Sequence, residues 1–134
     1  MTKEEKVQYW TDLSDRELAT AELLVKGKQY LWAGFMCHQV IEKIFKAYYS
    51  ALTDETPPFI HDLRLLAVKA DFWQYMTDEQ QTQIREIMPL QIEARYPEYK
   101  DMIAASLTKE RLEQIIVNTK QLQQWTKSRI LSVK

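Results

Sequence analysis

Glycine and proline decide where a chain like this can bend, and it has few of either: glycines at 27 and 34, prolines at 57, 58, 89 and 97. Between them apolar residues return every three or four positions, and no stretch alternates for long enough to make a strand. A sequence with that rhythm builds long helices joined by few turns. The fold class it predicts is all-α, an up-and-down bundle of four to five helices forming a single domain over residues 1–134. With 46% hydrophobic and 28% charged residues, such a bundle can bury its own core without metals or disulfides.

The first helix is expected from about Lys3 to Lys26, with Val7, Trp10, Leu13, Leu18, Ala21, Leu24 and Val25 as its apolar stripe. Gly27 is its expected left-handed stop. A second helix from Lys28 or Gln29 to Leu52 is apolar on nearly every side up to Cys37. Beyond that Val40, Ile41, Ile44, Phe45, Tyr48 and Leu52 face inward, and Gln39, Glu42, Lys43 and Lys46 share the other face. After a Pro57-Pro58 loop, Asp62 is placed to cap a short helix that turns Leu63, Leu66 and Ala67 to the core. Phe72 and Trp73 suggest a packed connector. Thr77 to Gln80 has the form of a capping box, opening a helix that Pro89 kinks or breaks. Leu90 to Tyr96 is read as an offset continuation ended by Pro97, Glu98 to Leu107 as a connector, and Thr108 as the cap of a long last helix.

Composition closes off several functions. No segment reaches the roughly 18 unbroken apolar residues of a membrane span, and Met1 to Lys6 is too charged for a signal peptide core. The one cysteine, Cys37, lies in an apolar run, which suits a buried thiol and the reducing cytoplasm. His38 and His61 are far apart without a clustered Cys or carboxylate set, so neither a metal nor another cofactor is expected. Two isolated glycines make no phosphate loop. A Cys37–His61 nucleophile pair is the weakest candidate of all. The net charge of −1 gives no general pull on nucleic acid, although Lys120, Lys127, Arg129 and Lys134 form a stretch without an acid. That stretch is either a cationic helix end favoured by the macrodipole or a docking strip for an acidic partner or RNA.

Two patterns carry chemistry. His38, Glu42 and Lys46 are spaced four apart and line one edge of the second helix, with Gln39 and Lys43 beside them. They form either a solvated face with an ordinary ion pair or a polar groove between helices. In Glu93-Ala94-Arg95-Tyr96-Pro97-Glu98-Tyr99-Lys100 a cation and two aromatic rings meet a helix break. Arg95 there either clamps a phosphate or pairs with a nearby acid.

Taken in order, Trp10, Ala19-Thr20-Ala21-Glu22, Gly27-Lys28-Gln29-Tyr30, His38-Gln39-Val40-Ile41-Glu42-Lys43-Ile44-Phe45-Lys46-Ala47, Pro57-Pro58, His61-Asp62-Leu63 and Ala94-Arg95-Tyr96-Pro97 resemble the stand-alone HEPN proteins of bacteria and archaea, over roughly residues 7 to 130. The resemblance implies a helical bundle that pairs as a homodimer, for which four Trp and seven Tyr leave spare aromatic surface. It implies a small nucleotidyltransferase as partner, in a toxin–antitoxin-type module. Many relatives are metal-independent RNases with an Arg, four to six residues, and a His. Here the positions after Arg95 hold Lys100, Asp101 and Met102, so that motif is incomplete. Lysine, with an ordinary pKa near 10.4, is a poor base at neutral pH.

The leading expectation is a binding module that takes a partner, and a nucleotide or RNA, in a groove lined by Glu42, Lys43, Lys46, His61, Asp62, Arg95 and Tyr96. The alternatives are an RNase with a relocated base, using Arg95 and His61, and a structural adaptor that docks through its basic end.

Overall fold

The computed structural model describes residues 1–93 and 96–133, and among them holds six α-helices and no strand. Helix α1 (Lys3–Lys26) opens on a reciprocal cap: Thr2 Oγ1 accepts from the Glu5 amide while Glu5 accepts from the amide of Thr2. Its end differs from expectation. Gly27 keeps a φ of −84°, and the left-handed residue is Lys28 at 60°. The amide of Gln29 then reaches back to the Leu24 carbonyl at 2.8 Å and that of Lys28 to Val25 at 3.0 Å, the double return that satisfies a helix end. The same turn recurs after α3 (Leu63–Lys69), with Asp71 left-handed at 58° and Phe72 bonded back to Ala67.

Helix α2 (Tyr30–Leu52) is the axis of the molecule. Ala33, Phe35, Cys37, Val40, Ile41, Ile44, Phe45, Ala47 and Tyr48 on it are buried. The pattern misplaces Leu52, which is exposed at the helix end where no neighbour covers it. Against α2 pack α1 on one side and α6 (Lys109–Ser132) on another, with α3 and α4 (Asp78–Ile87) beyond. A polar seam ties the three long helices. Ser14 donates to the Val40 carbonyl at 2.8 Å and accepts from Gln123 at 2.9 Å, while Lys127 meets Asp15 at 2.7 Å.

The largest departure lies after α4. Pro89 does break the helix, giving a 3-10 turn over Met88–Leu90. Among the described residues no offset helix follows. Gln91 takes an extended backbone, and Gln91 and Ile92 are buried without helical structure. Pro97 is a beginning rather than an end: it occupies the first turn of α5 (Pro97–Ser106), where its missing amide hydrogen costs nothing. The expected connector of Glu98 to Leu107 is therefore mostly a helix, which raises the count above the four to five expected.

Candidate functional site

Facing inward from α2, Glu42 is the centre of the one strongly polar cluster in the interior among the described residues. Its side chain is 2% exposed, and that of Lys46, one turn on, 7%. The solvated-face reading of this edge therefore fails. The helix turns these charges into the bundle because α1 and the His61 segment cover that side. Lys46 donates to Glu42 Oε2 at 3.1 Å and holds its ammonium 5.5 Å from the centre of the Trp10 ring on α1. His61, just before the Asp62 cap of α3, donates from Nδ1 to Glu42 Oε1 at 2.9 Å. Burial pushes the Glu42 carboxyl upward, but the His61 bond, then the Lys46 charge and bond, and then His38 outweigh it, so its pKa stays below the ordinary value. Glu42 is an anion at neutral pH.

The orientation of His61 follows. A carboxylate only accepts, so neutral His61 carries its proton on Nδ1 and its lone pair on Nε2. The ring is 59% exposed and lines a groove of about 500 Å³ with Asp62, Arg85, Met88, Pro89, Gln91 and Tyr99. His38, a turn before Glu42, is sealed. Its Nδ1 lies 3.2 Å from Gln39 Oε1 and 3.8 Å from Glu42, and its Nε2 has no hydrogen-bond partner. The backbone of His61 lies near enough to favour the protonated ring, yet burial prevails and lowers the His38 pKa.

The expected residues thus divide. Glu42, Lys46 and His61 converge, and Asp62 stands on the groove wall while accepting from the Leu65 amide at 2.9 Å. Lys43 does not join them. It crosses to Glu17 on α1 at 3.0 Å, where burial raises the Glu17 pKa against the pull of Lys43 and Glu17 Oε2 lacks a partner. Tyr96 caps α5 with 82% of its surface exposed, and Arg95 and Ala94 lie outside the described residues. Arg85, Met88, Pro89, Gln91 and Tyr99 belong to the groove although Arg85 stands out in no motif. Only Tyr99 and Pro89 carried a signal, in the aromatic stretch and the helix break.

Other candidates settle into structural roles. Cys37 is buried against Thr119 with its pKa pushed up to about 11 by burial, so it holds no reactive thiolate. Among the described residues no group of His, Cys, Asp or Glu is arranged to hold a metal. Of the basic stretch at the end of the chain, Lys134 lies outside the described residues and the others have partners within the chain: Lys120 meets Glu22 at 3.4 Å, Lys127 meets Asp15, and Arg129 lies against the rings of Tyr75, Trp125 and Tyr48. No described helix is long and apolar enough to cross a membrane.

The HEPN domain model matches residues 7–130, and the chain belongs to the HEPN domain family. Its fold is similar to that of TT1696 from Thermus thermophilus, at 18% identity and a TM-score of 0.75. It is similar also to ST0689, an archaeal HEPN homologue, at 20% identity and a TM-score of 0.71. Each match covers 92% of this chain and 97% of the other, and at such identities the likeness is one of fold. No curated protein matches this chain significantly.

Proposed function

We propose that this HEPN protein is a binding module of the cytoplasm, a homodimer that forms one half of a toxin–antitoxin-type pair with a small nucleotidyltransferase, and that the groove beside His61 takes a nucleotide. The observation that carries the reading is the groove itself. An imidazole pinned by a buried carboxylate, an arginine and a tyrosine line an open groove of about 500 Å³, a volume in the range of small-molecule sites. Lys100, Asp101 and Met102 stand where an RNase of the family would need histidine, which favours binding over cleavage. The test is co-purification with the nucleotidyltransferases of the same genome, together with calorimetry against ribonucleotides. Retention of one such enzyme and a 1:1 nucleotide isotherm per protomer are expected. If no nucleotidyltransferase is retained, the partner claim falls, and a flat isotherm removes the nucleotide.

One contact favours a second reading, an RNase with His61 as relocated base. The Glu42–His61 bond leaves Nε2 able to take the proton of a 2′-hydroxyl, the first step of metal-independent RNA cleavage. Structured RNA in EDTA is the assay, with wild type, Arg95→Ala, His61→Ala and Glu42→Gln. This reading requires activity that His61→Ala abolishes and Glu42→Gln lowers at least tenfold. Equal, vanishing cleavage by all four excludes it.

A further inference from the structure

Arg85 is unaccounted for by any motif. It stands in the last turn of α4, on the wall of the groove, with its guanidinium 5.5 Å from the centre of the Trp73 ring. Arg64, near the start of α3, brings its guanidinium to 5.6 Å from the same ring. Trp73 lies in the 3-10 turn between those helices, so a single indole gathers a cation from each of them. Neither guanidinium forms an ion pair with a carboxylate among the described residues. The acid closest at hand on the groove wall, Asp62, is already the cap of α3.

A cation favours the end of a helix, which explains a basic residue at position 85 but not its surroundings. Two guanidiniums over one ring repel each other, and a third charge of opposite sign relieves that repulsion. The ring contact also leaves chemistry unused. Attraction to the Trp73 ring takes no N–H of the guanidinium, so Arg85, exposed at the groove wall, keeps its N–H fork for other partners. Such a fork matches two oxygens of a phosphate. Across the groove, Met88 and Pro89 offer an apolar surface and Tyr99 an aromatic one.

We infer that Arg85, braced by Trp73, is the phosphate-reading residue of the groove, and that the ligand is a free nucleoside monophosphate or a longer phosphate of it. The inference rests on the nucleotide reading above and goes beyond it by assigning the residue and the feature it selects. A single phosphate suits the site better than a polymer. A strand of RNA is held by a track of several cations, whereas this chain has a net charge of −1, and Lys43, Lys46 and Lys127 are paired with acids.

The experiment titrates the four ribonucleoside 5′-mono-, di- and triphosphates and their nucleosides into the full chain at fixed ionic strength, for wild type, Arg85→Ala and Arg85→Lys. Wild type is expected to prefer at least one of these nucleotides over its nucleoside by tenfold or more. In Arg85→Ala that preference collapses toward one, and in Arg85→Lys, which keeps the charge but loses the fork, it is intermediate. Thermal unfolding of both variants checks that they fold, and Arg85→Lys carries the test should the alanine variant not. A wild-type preference left within twofold by both variants overturns the role of Arg85 while the nucleotide reading stands. No binding of any mononucleotide by wild type sinks both. A five-residue RNA bound through Arg85 when no mononucleotide is bound transfers the phosphate to a polymer and overturns the free-ligand assignment.

Discussion

His38 shows how one buried ring makes a whole protein sensitive to acid. It is fully enclosed, with Nε2 unpartnered and Nδ1 facing Gln39 and, less closely, Glu42. Burial holds its pKa below the ordinary 6.5, against the opposing pull of Glu42, Gln39 and the His61 backbone. The unfolded chain therefore accepts a proton near pH 6.5 that the native one refuses. Stability is complete above that pH and declines as pH falls toward the native pKa of His38. Glu42 adds a lower window of the same sign, since its depressed carboxyl contributes above about pH 4.5 and loses that contribution as pH falls through its native value. The thermal midpoint of wild type is expected to drop between pH 7 and pH 5.5, and that of His38→Leu to stay nearly flat over the same interval. An equal drop in both proteins would move the effect to another group.

Among the elements, α2 determines how closely its neighbours can approach. Gly34 is on its buried face, and a Cβ there would stand 3.2 Å from Leu107 Cδ1 and 3.5 Å from Leu90 Cδ1. Leu90 ends the turn that Pro89 makes, and Leu107 links α5 to α6, so the missing side chain is what lets both connections close over the helix. Gly34→Leu should overpack this junction and cost about 1–3 kcal/mol in chemical denaturation, with an unchanged denaturant slope. A neutral result would show that the junction yields. The second half of the chain was the harder to read for a related reason. A proline reads alike at the close of one helix and the opening of the next. At Pro97 the structure decides for the opening: the proline stands in the first turn of α5, and the segment before it buries Gln91 and Ile92 without helical structure.

For the molecule as a whole, the decisive residue is outside the long helices. Phe72 is fully buried in the connector after α3, its ring 4.8 Å from Phe45 and Tyr48 on α2 and 5.9 Å from Trp125 on α6. It joins the side bearing the groove to the three-helix body. Phe72→Ala is expected to cost about 3–5 kcal/mol, with one cooperative transition by both fluorescence and circular dichroism. Two separate transitions would instead mean that the α3–α4 side folds independently.

The periodicity of apolar residues and the short menu of helix caps were enough to place α1, α2, α3, α4 and α6, because capping and amphipathicity are local: Asp62, Thr77 and Thr108 each satisfy amides within three residues of themselves. The order of motifs was likewise enough for the family. The site was legible only in part. The four-residue spacing of His38, Glu42 and Lys46 put them on one edge, but whether that edge meets water or another helix is a question of distance across the bundle. Tertiary structure decided it, by bringing His61 from 19 residues away onto Glu42 and Trp10 onto Lys46. It alone also set Arg85 and Arg64 beside one indole ring with no ion-paired acid among the described residues, and that is not a property of neighbours in the sequence.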